Sequence, residues 1–172
     1  MRRMLVLVAL VVAAGVGSIA GCSTTPTTPT TRATPTNCSL ASMSVSLVFL
    51  EAAAGQVFHA LVFQNVGSVA CRLQGYPTIA VVVNGTRTTA TTSQLGPAGD
   101  VSPALLTIAP GGFASAAVDS VEMTSDRCWT VHSLTVMLPG SSEKKTLAAS
   151  LSSCSTVGVQ ALVYGKIGRI RL

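Results

Sequence analysis

From Cys38 onward no segment of this chain carries a capped helical period. Short runs rich in Val, Ile, Thr and aromatic residues recur instead, each closed by Gly, Pro or polar residues. Val45, Leu47 and Phe49 alternate with Ser44, Ser46 and Val48. Ala53-Ala54-Gly55 reads as a turn, and 56–64 as the next strand, ending in the loop Asn65-Val66-Gly67. The β-branched run 78–83 meets Asn84-Gly85, a strong hairpin signal because a type I′ turn needs positive φ at both positions. Residues 87–92 read as a Thr-rich return strand at a sheet edge, and 94–103 as a loop. Strands are expected at 105–108, 113–121, 131–138, 146–151 and 157–164, with Pro110-Gly111-Gly112 turning between the first two. About nine short strands without helices predict an all-β fold, an antiparallel immunoglobulin-like β-sandwich of about 7–9 strands.

The chain has 172 residues. About 135 of them lie from Cys38 on, one ordinary domain able to bury roughly two-thirds of its unfolded surface. The longest fully apolar stretch there, 79–83, is far shorter than the roughly 20 residues of a spanning helix. Four of the five cysteines fall in this domain: Cys38, Cys71, Cys128 and Cys154. None forms a CxxC pair, so zinc and thioredoxin-type redox sites are disfavoured. An even number in an exported domain suggests two disulfides. A turn centred at Ala53-Ala54 would bring Cys38 opposite Cys71, and one near Gly140-Ser141 would bring Cys128 opposite Cys154. The expected pairing is therefore sequential.

Export is read from the first residues. Met1-Arg2-Arg3 is basic, 5–14 is uninterrupted apolar sequence, and Ile19-Ala20-Gly21-Cys22 follows. That order reads as a secretory signal peptide. Its ending looks like a bacterial lipobox, which makes Cys22 the expected lipidation site. The tract after it is rich in Thr and Pro, favours extended polyproline conformation and could reach roughly 45 Å at about 3.1 Å per residue. Such residues also permit O-glycosylation. The expected organisation is a lipoprotein signal peptide at 1–21, the lipidated cysteine plus a Thr/Pro-rich linker at 22–37, the sandwich at 38–165, and a basic tail at 166–172.

The net charge of +5 belongs mostly to the ends. Within the domain Arg72, Arg87, Arg127, Lys144 and Lys145 face Glu51, Asp100, Asp119, Glu122, Asp126 and Glu143 in number. Lys166, Arg169 and Arg171 make the tail basic, either as a solvated end or as a weak contact for anionic lipid or wall polymer. There is no basic stripe with interleaved aromatics, so nucleic acid is not an expected partner.

The strings Ala53-Ala54-Gly55-Gln56, Phe63-Gln64-Asn65-Val66-Gly67 and Cys71-Arg72-Leu73-Gln74-Gly75-Tyr76-Pro77 stand in order. Pro110-Gly111-Gly112-Phe113-Ala114, Cys128 and Cys154 follow them. This pattern, AAG, NxGxxxCxLxGYP, PGG-x-A and two more cysteines, resembles a secreted actinobacterial domain of unknown function, common in lipoproteins with Thr/Pro linkers. The likeness spans roughly 38–165 and implies fold and location; it carries over no activity and no catalytic residue. The tail from Lys166 runs past the usual end of that domain. Read on their own, Gly67 suits a turn out of a strand at a conformation other residues resist. Gly75-Tyr76-Pro77 suits a tight bend with the Tyr76 hydroxyl exposed or capping a backbone group.

Chemistry-bearing residues are sparse. His59 is expected on an apolar face with Val57, Leu61 and Phe63, and His132 with Leu134, Val136 and Leu138. Both read as structural, and no HxM or HxH spacing supports a copper site. Ser142-Glu143-Lys144-Lys145 contains S-x-x-K but lies between strands, without the companion motifs of penicillin-binding enzymes, and reads as a charged hairpin tip. Trp129, next to Cys128, reads as a ring packed over a disulfide or as a ligand-stacking surface. The expectation is a non-catalytic, lipid-anchored binding or envelope-interaction module without a cofactor. Its partners would be the membrane, through the lipid, and an unidentified envelope component. Tyr76 and Trp129 are the candidate contacts, on the loops 65–77 and 122–129; 94–103 is the third candidate loop. A structural spacer is the alternative. A hydrolase or metal-handling protein, its site assembled only in three dimensions, is the third.

Overall fold

A computed structural model describes residues 34–83, 86–89, 91–92, 95–96, 99–100, 102–121, 128–154 and 157–166, with the backbone alone between 82 and 101. All of these belong to the unit Ala33–Leu172. In chain order the strands are β1 (Thr36–Asn37), β2 (Met43–Ala53), β3 (Gln56–Asn65), β4 (Cys71–Leu73) and β5 (Thr78–Val83). Next come β6 (Thr86–Thr89), β7 (Thr91–Thr92), β8 (Leu95–Gly96), β9 (Gly99–Asp100) and β10 (Leu106–Ile108). The last are β11 (Phe113–Val121), β12 (Trp129–Met137), β13 (Lys145–Ser153), β14 (Gly158–Val159) and β15 (Val163–Tyr164). A 3₁₀ turn, Leu40–Ser42, precedes β2, and the Ser39 side chain accepts from Ala41 N at its start.

Two sheets pack face to face as an antiparallel β-sandwich. One has the order β2-β3-β11-β14-β7, with β15 also on β11; the other has the order β13-β12-β5-β6. A small third sheet, β1-β4-β10, closes one end. The alternation read from the sequence holds in the first half of β2, where Met43 and Val45 are buried and Ser44 and Ser46 are exposed. Leu61, Phe63, Ala116 and Val118 face Ile79, Val81, Leu134 and Val136 in one core. Each large side chain fully buried there contributes about 1.5–3 kcal/mol.

The β2–β3 hairpin turns on two residues, Ala54 (φ 51°) and Gly55 (φ 79°), both left-handed as a two-residue turn matched to strand twist requires. The register Val83↔Thr86 leaves Asn84 and Gly85 as a two-residue connection; their own conformation lies outside the described residues. β6 is a sheet edge, as expected, but the Thr-rich run does not stay in one layer. β6 pairs β5, whereas β7 pairs β14 in the opposite sheet. The chain thereby crosses between layers on one flank. On the other flank the two edges, β2 and β13, face each other without a crossover.

The structure differs from the sequence reading in three further places. Residues 157–164 form two strands, because the register against β11 slips by one residue between Val118↔Val159 and Ser115↔Val163. In the gap Leu162 N turns away to bond Gly75 O. The stretch 94–103 holds a small β8–β9 pair. Thr36 and Asn37, at the end of the linker segment, form a strand parallel to β4.

Candidate functional site

Both edges of the open flank carry an irregularity. Along β2 the register passes from Phe49↔His59 to Glu51↔Phe58, so Leu50 is an extra residue. Along β13 it passes from Val131↔Leu151 to Ser133↔Ala148, one residue longer on β13 than on β12. Such bulges bend an edge strand and re-aim its side chains. Here they flank one cleft of ≈ 460 Å³ lined by Leu47, Phe49, His59, Ala148, Ala149 and Ser150. Phe49 is 59% exposed although its strand pattern would place it in the core. Its ring meets buried His59 edge-on, centroids 5.7 Å apart. The alanines of β13 leave the opposite wall low. The arrangement is an open apolar cleft with an aromatic wall, the buried His59 imidazole and the exposed Ser150, mostly apolar groups with a few polar ones as in ligand sites. Among the described residues no group of three His, Cys, Asp or Glu is placed to hold a metal ion.

The residues of the sequence motif do a different job, at the end of the sandwich where the linker arrives. Asn65 is buried; its Nδ2 donates to Val69 O (2.8 Å) and Ile108 O (3.0 Å), and its Oδ1 accepts from Gly67 N (3.0 Å). Its main chain bonds Gly112 O and Gly111 N. Gly67 does not adopt the left-handed conformation expected of it. A Cβ there would instead crowd Asn65 Oδ1 (3.2 Å) and Ser42 Cβ (3.3 Å). In the Pro110-Gly111-Gly112 turn, Gly111 has φ 75°, and a Cβ on Gly112 would lie 2.9 Å from Ala109 O. The motif therefore encodes a hydrogen-bonded end cap.

Cys38–Cys71 and Cys128–Cys154 are disulfide-bonded, the sequential pairing. The second bridges positions directly beyond Trp129↔Ser153 on one hairpin, as reasoned. The first joins residues beside the parallel β1–β4 pair, with Cys38 N bonded to Arg72 O; it does not extend the β2–β3 hairpin. The profile of a family described as a domain of unknown function (DUF4232) matches residues 38–164. The chain belongs to this family. No curated protein and no solved structure matches the chain.

The candidate contacts of this DUF4232 domain are not brought together. Tyr76 lies just before Thr78, which pairs with Met137 at one end of β12; Trp129 begins β12 at the other. At roughly 3.4 Å per residue the two ends are about 27 Å apart. The Tyr76 hydroxyl is neither exposed nor a backbone cap: it is buried without a hydrogen-bond partner. Trp129 is half-buried and packs against the core. Neither lines the flank cleft. His132 is exposed, off the apolar face expected for it, because the register shifts between Val131 and Ser133. The 142–145 tip ties loops together: Glu143 Oε2 accepts from Leu40 N (2.6 Å), and Lys145 Nζ donates to Met43 O (2.8 Å). Cys22 lies outside the described residues, as do 122–127 of the expected contact loop 122–129.

Among the described residues the Asp119 carboxyl is perturbed. Burial on β11 pushes Asp119 above its ordinary value of 3.8, against a backbone hydrogen bond that lowers it. It stands on the outer face opposite Phe58, away from the cleft, with Gly158 beneath the carboxylate. The sequence reading missed the cleft. Its one visible signal was Phe49, the aromatic residue at the end of an alternating run.

Proposed function

We propose that the chain is an exported protein anchored by lipid at Cys22, and that its domain is a non-catalytic binding module of the cell envelope. The reading places the ligand in the flank cleft and gives it an apolar or aromatic group that stacks on Phe49. The observation that carries it is the pair of bulges facing each other across the one flank where the sheets are not joined by a crossover. Two disulfides inside the domain support an oxidising compartment. The leader order and Cys22 support the anchor.

Three measurements test this reading. Cys22→Ser expressed in the native host should give unprocessed or released protein; a variant that still matures and partitions into detergent would sink the anchor. Thermal unfolding with fractionated envelope lipid and glycan should show a stabilising fraction whose effect disappears in Phe49→Ser. Ester, peptide and glycan panels should show no turnover. If no fraction stabilises the wild type, or Phe49→Ser responds like it, the domain is better read as a spacer.

A further inference from the structure

The fold sorts features that are scattered in the sequence. Hydrogen bonds and one ring contact knit five loops into one end. The 142–145 tip bonds Leu40 and Met43, and Ser42 O accepts from Val66 N. Asn65 ties the 66–70 loop to β10 and to the 109–112 turn. Gly165 N bonds Phe113 O, and Lys166 Nζ lies 4.1 Å over the Phe113 ring. The linker reaches the domain here through β1, and the chain leaves here at Lys166.

This end is basic and studded with apolar groups. Lys144 and Lys166 are exposed, Lys145 is half-buried, and half-buried Arg72 stands on β4 opposite Asn37 of β1. Glu143 is the acid among them, with one oxygen taken by Leu40 N. Val66, Val69 and Tyr164 are each at least 60% exposed on the same loops. The described acids Glu51 and Asp119 stand toward the far end, both opposite Phe58. Arg87 holds the β6 register position opposite Val82, and Asp100 belongs to the β8–β9 pair.

We infer that this end lies against an anionic lipid surface, with the 66–70 loop and Tyr164 entering the headgroup layer and Lys144 and Lys166 over lipid phosphates. The inference rests on the membrane anchoring proposed above, because a tether joined at this same end delivers it to the bilayer. Small apolar side chains flanked by lysines match the interface, where apolar burial and anionic charge add. Each base near such a surface raises partitioning by about fivefold. The occupant is a bilayer rather than a protein, because the exposed groups are spread over separate loop tips; the recess of ≈ 270 Å³ beside Phe113 and Lys166 opens instead along the outer face of β2 and β3, past Ser44, Ser46 and Gln64.

The test uses the full chain in vesicles that carry a nitroxide quencher on the headgroup. Trp129, the one tryptophan, reports from the far end. A Trp129→Phe, Val69→Trp protein reports from the linker end. With phosphatidylglycerol in phosphatidylcholine vesicles, quenching at position 69 should rise at least twofold and fall back at high salt, while Trp129 stays unaffected. Lys144→Glu with Lys166→Glu should abolish the rise, and thermal unfolding of that variant checks that it remains folded. Equal quenching at both positions, quenching indifferent to phosphatidylglycerol and salt, or stronger quenching of Trp129 overturns the inference. A chain that does not float with the vesicles overturns the anchor reading and this inference with it; one that floats but quenches alike overturns this inference alone.

Discussion

Asn65→Leu should be among the most damaging single changes in the domain, although it replaces a polar group with an apolar one of similar size at a buried position. Asn65 is 1% exposed and makes three side-chain hydrogen bonds, to Val69 O, Ile108 O and Gly67 N. A net hydrogen bond contributes about 1 kcal/mol, and a buried group left without its partner costs about 1–3 kcal/mol. Val69 is exposed and can turn its carbonyl to water; the Ile108 contact is buried and cannot. The expected loss is therefore about 3–4 kcal/mol, which for a domain of this size lowers Tm by roughly 10 °C. Urea unfolding of the oxidised protein measures it, with Val66→Ser as an exposed neighbour that should change little. Asn65→Asp adds a sign. It keeps the acceptor for Gly67 N but turns an anion toward two carbonyls, so its folded-state carboxyl should titrate above the ordinary range. Its destabilisation should ease as pH falls, when the protonated carboxyl regains a donor. A loss below about 1 kcal/mol for Asn65→Leu, or a pH-independent Asn65→Asp, would refute the argument that this side chain holds the end cap together.

Ala54 holds a left-handed φ of 51°, which costs a non-glycine residue roughly 1 kcal/mol; Ala54→Asn, which makes the turn Asn-Gly, should raise stability by about 0.5–1 kcal/mol in urea. Asp119 has a raised folded-state pKa, so the folded domain binds its proton more tightly than the unfolded chain and loses stability as pH rises from 3.8 through the folded value. Asp119→Asn should consequently be more stable than wild type at pH 7 and no more stable below pH 3.8; a constant difference across that range would count against burial as the cause. Replacing Cys128 and Cys154 together by Ala opens a closure of 26 residues and should cost about 3.5 kcal/mol on chain-entropy grounds, measured by urea unfolding beside the oxidised wild type.

What the sequence disclosed, and what it withheld, follows from the range over which each signal acts. The runs 56–64 and 113–121 are strands because their pattern is dense and bounded by turns that name themselves, Ala54-Gly55 and Gly111-Gly112. Cys128–Cys154 was legible because hairpin neighbours are fixed by counting from a turn. Cys38–Cys71 was reached by the same counting, but the observed bridge depends on a parallel β1–β4 contact that no local pattern announces. Tyr76 and Trp129 drew attention as large rings near loops. Their burial is decided by where Pro139, Leu162 and the β12–β13 hairpin come to rest, and none of that is local to either ring.

The cleft was illegible for a further reason. One inserted residue, such as Leu50, leaves composition and propensity unchanged while it resets the side-chain phase of everything after it. A bulge on an open edge also has a purely defensive use, since it spoils pairing with another sheet. Defence predicts a polar or charged side chain at the kink. β2 carries Glu51 just after the kink, but that side chain is half-buried, and before the kink β2 presents Phe49, 59% exposed and held edge-on to His59, while β13 answers with two alanines and a serine. An exposed ring facing a low wall adds an aggregation hazard that edge defence alone would not explain, whereas a ligand that covers the ring removes the hazard. This is the physical reason for placing a small ligand at the flank rather than on the motif itself, whose Asn65 side chain is taken up by Val69 O, Ile108 O and Gly67 N.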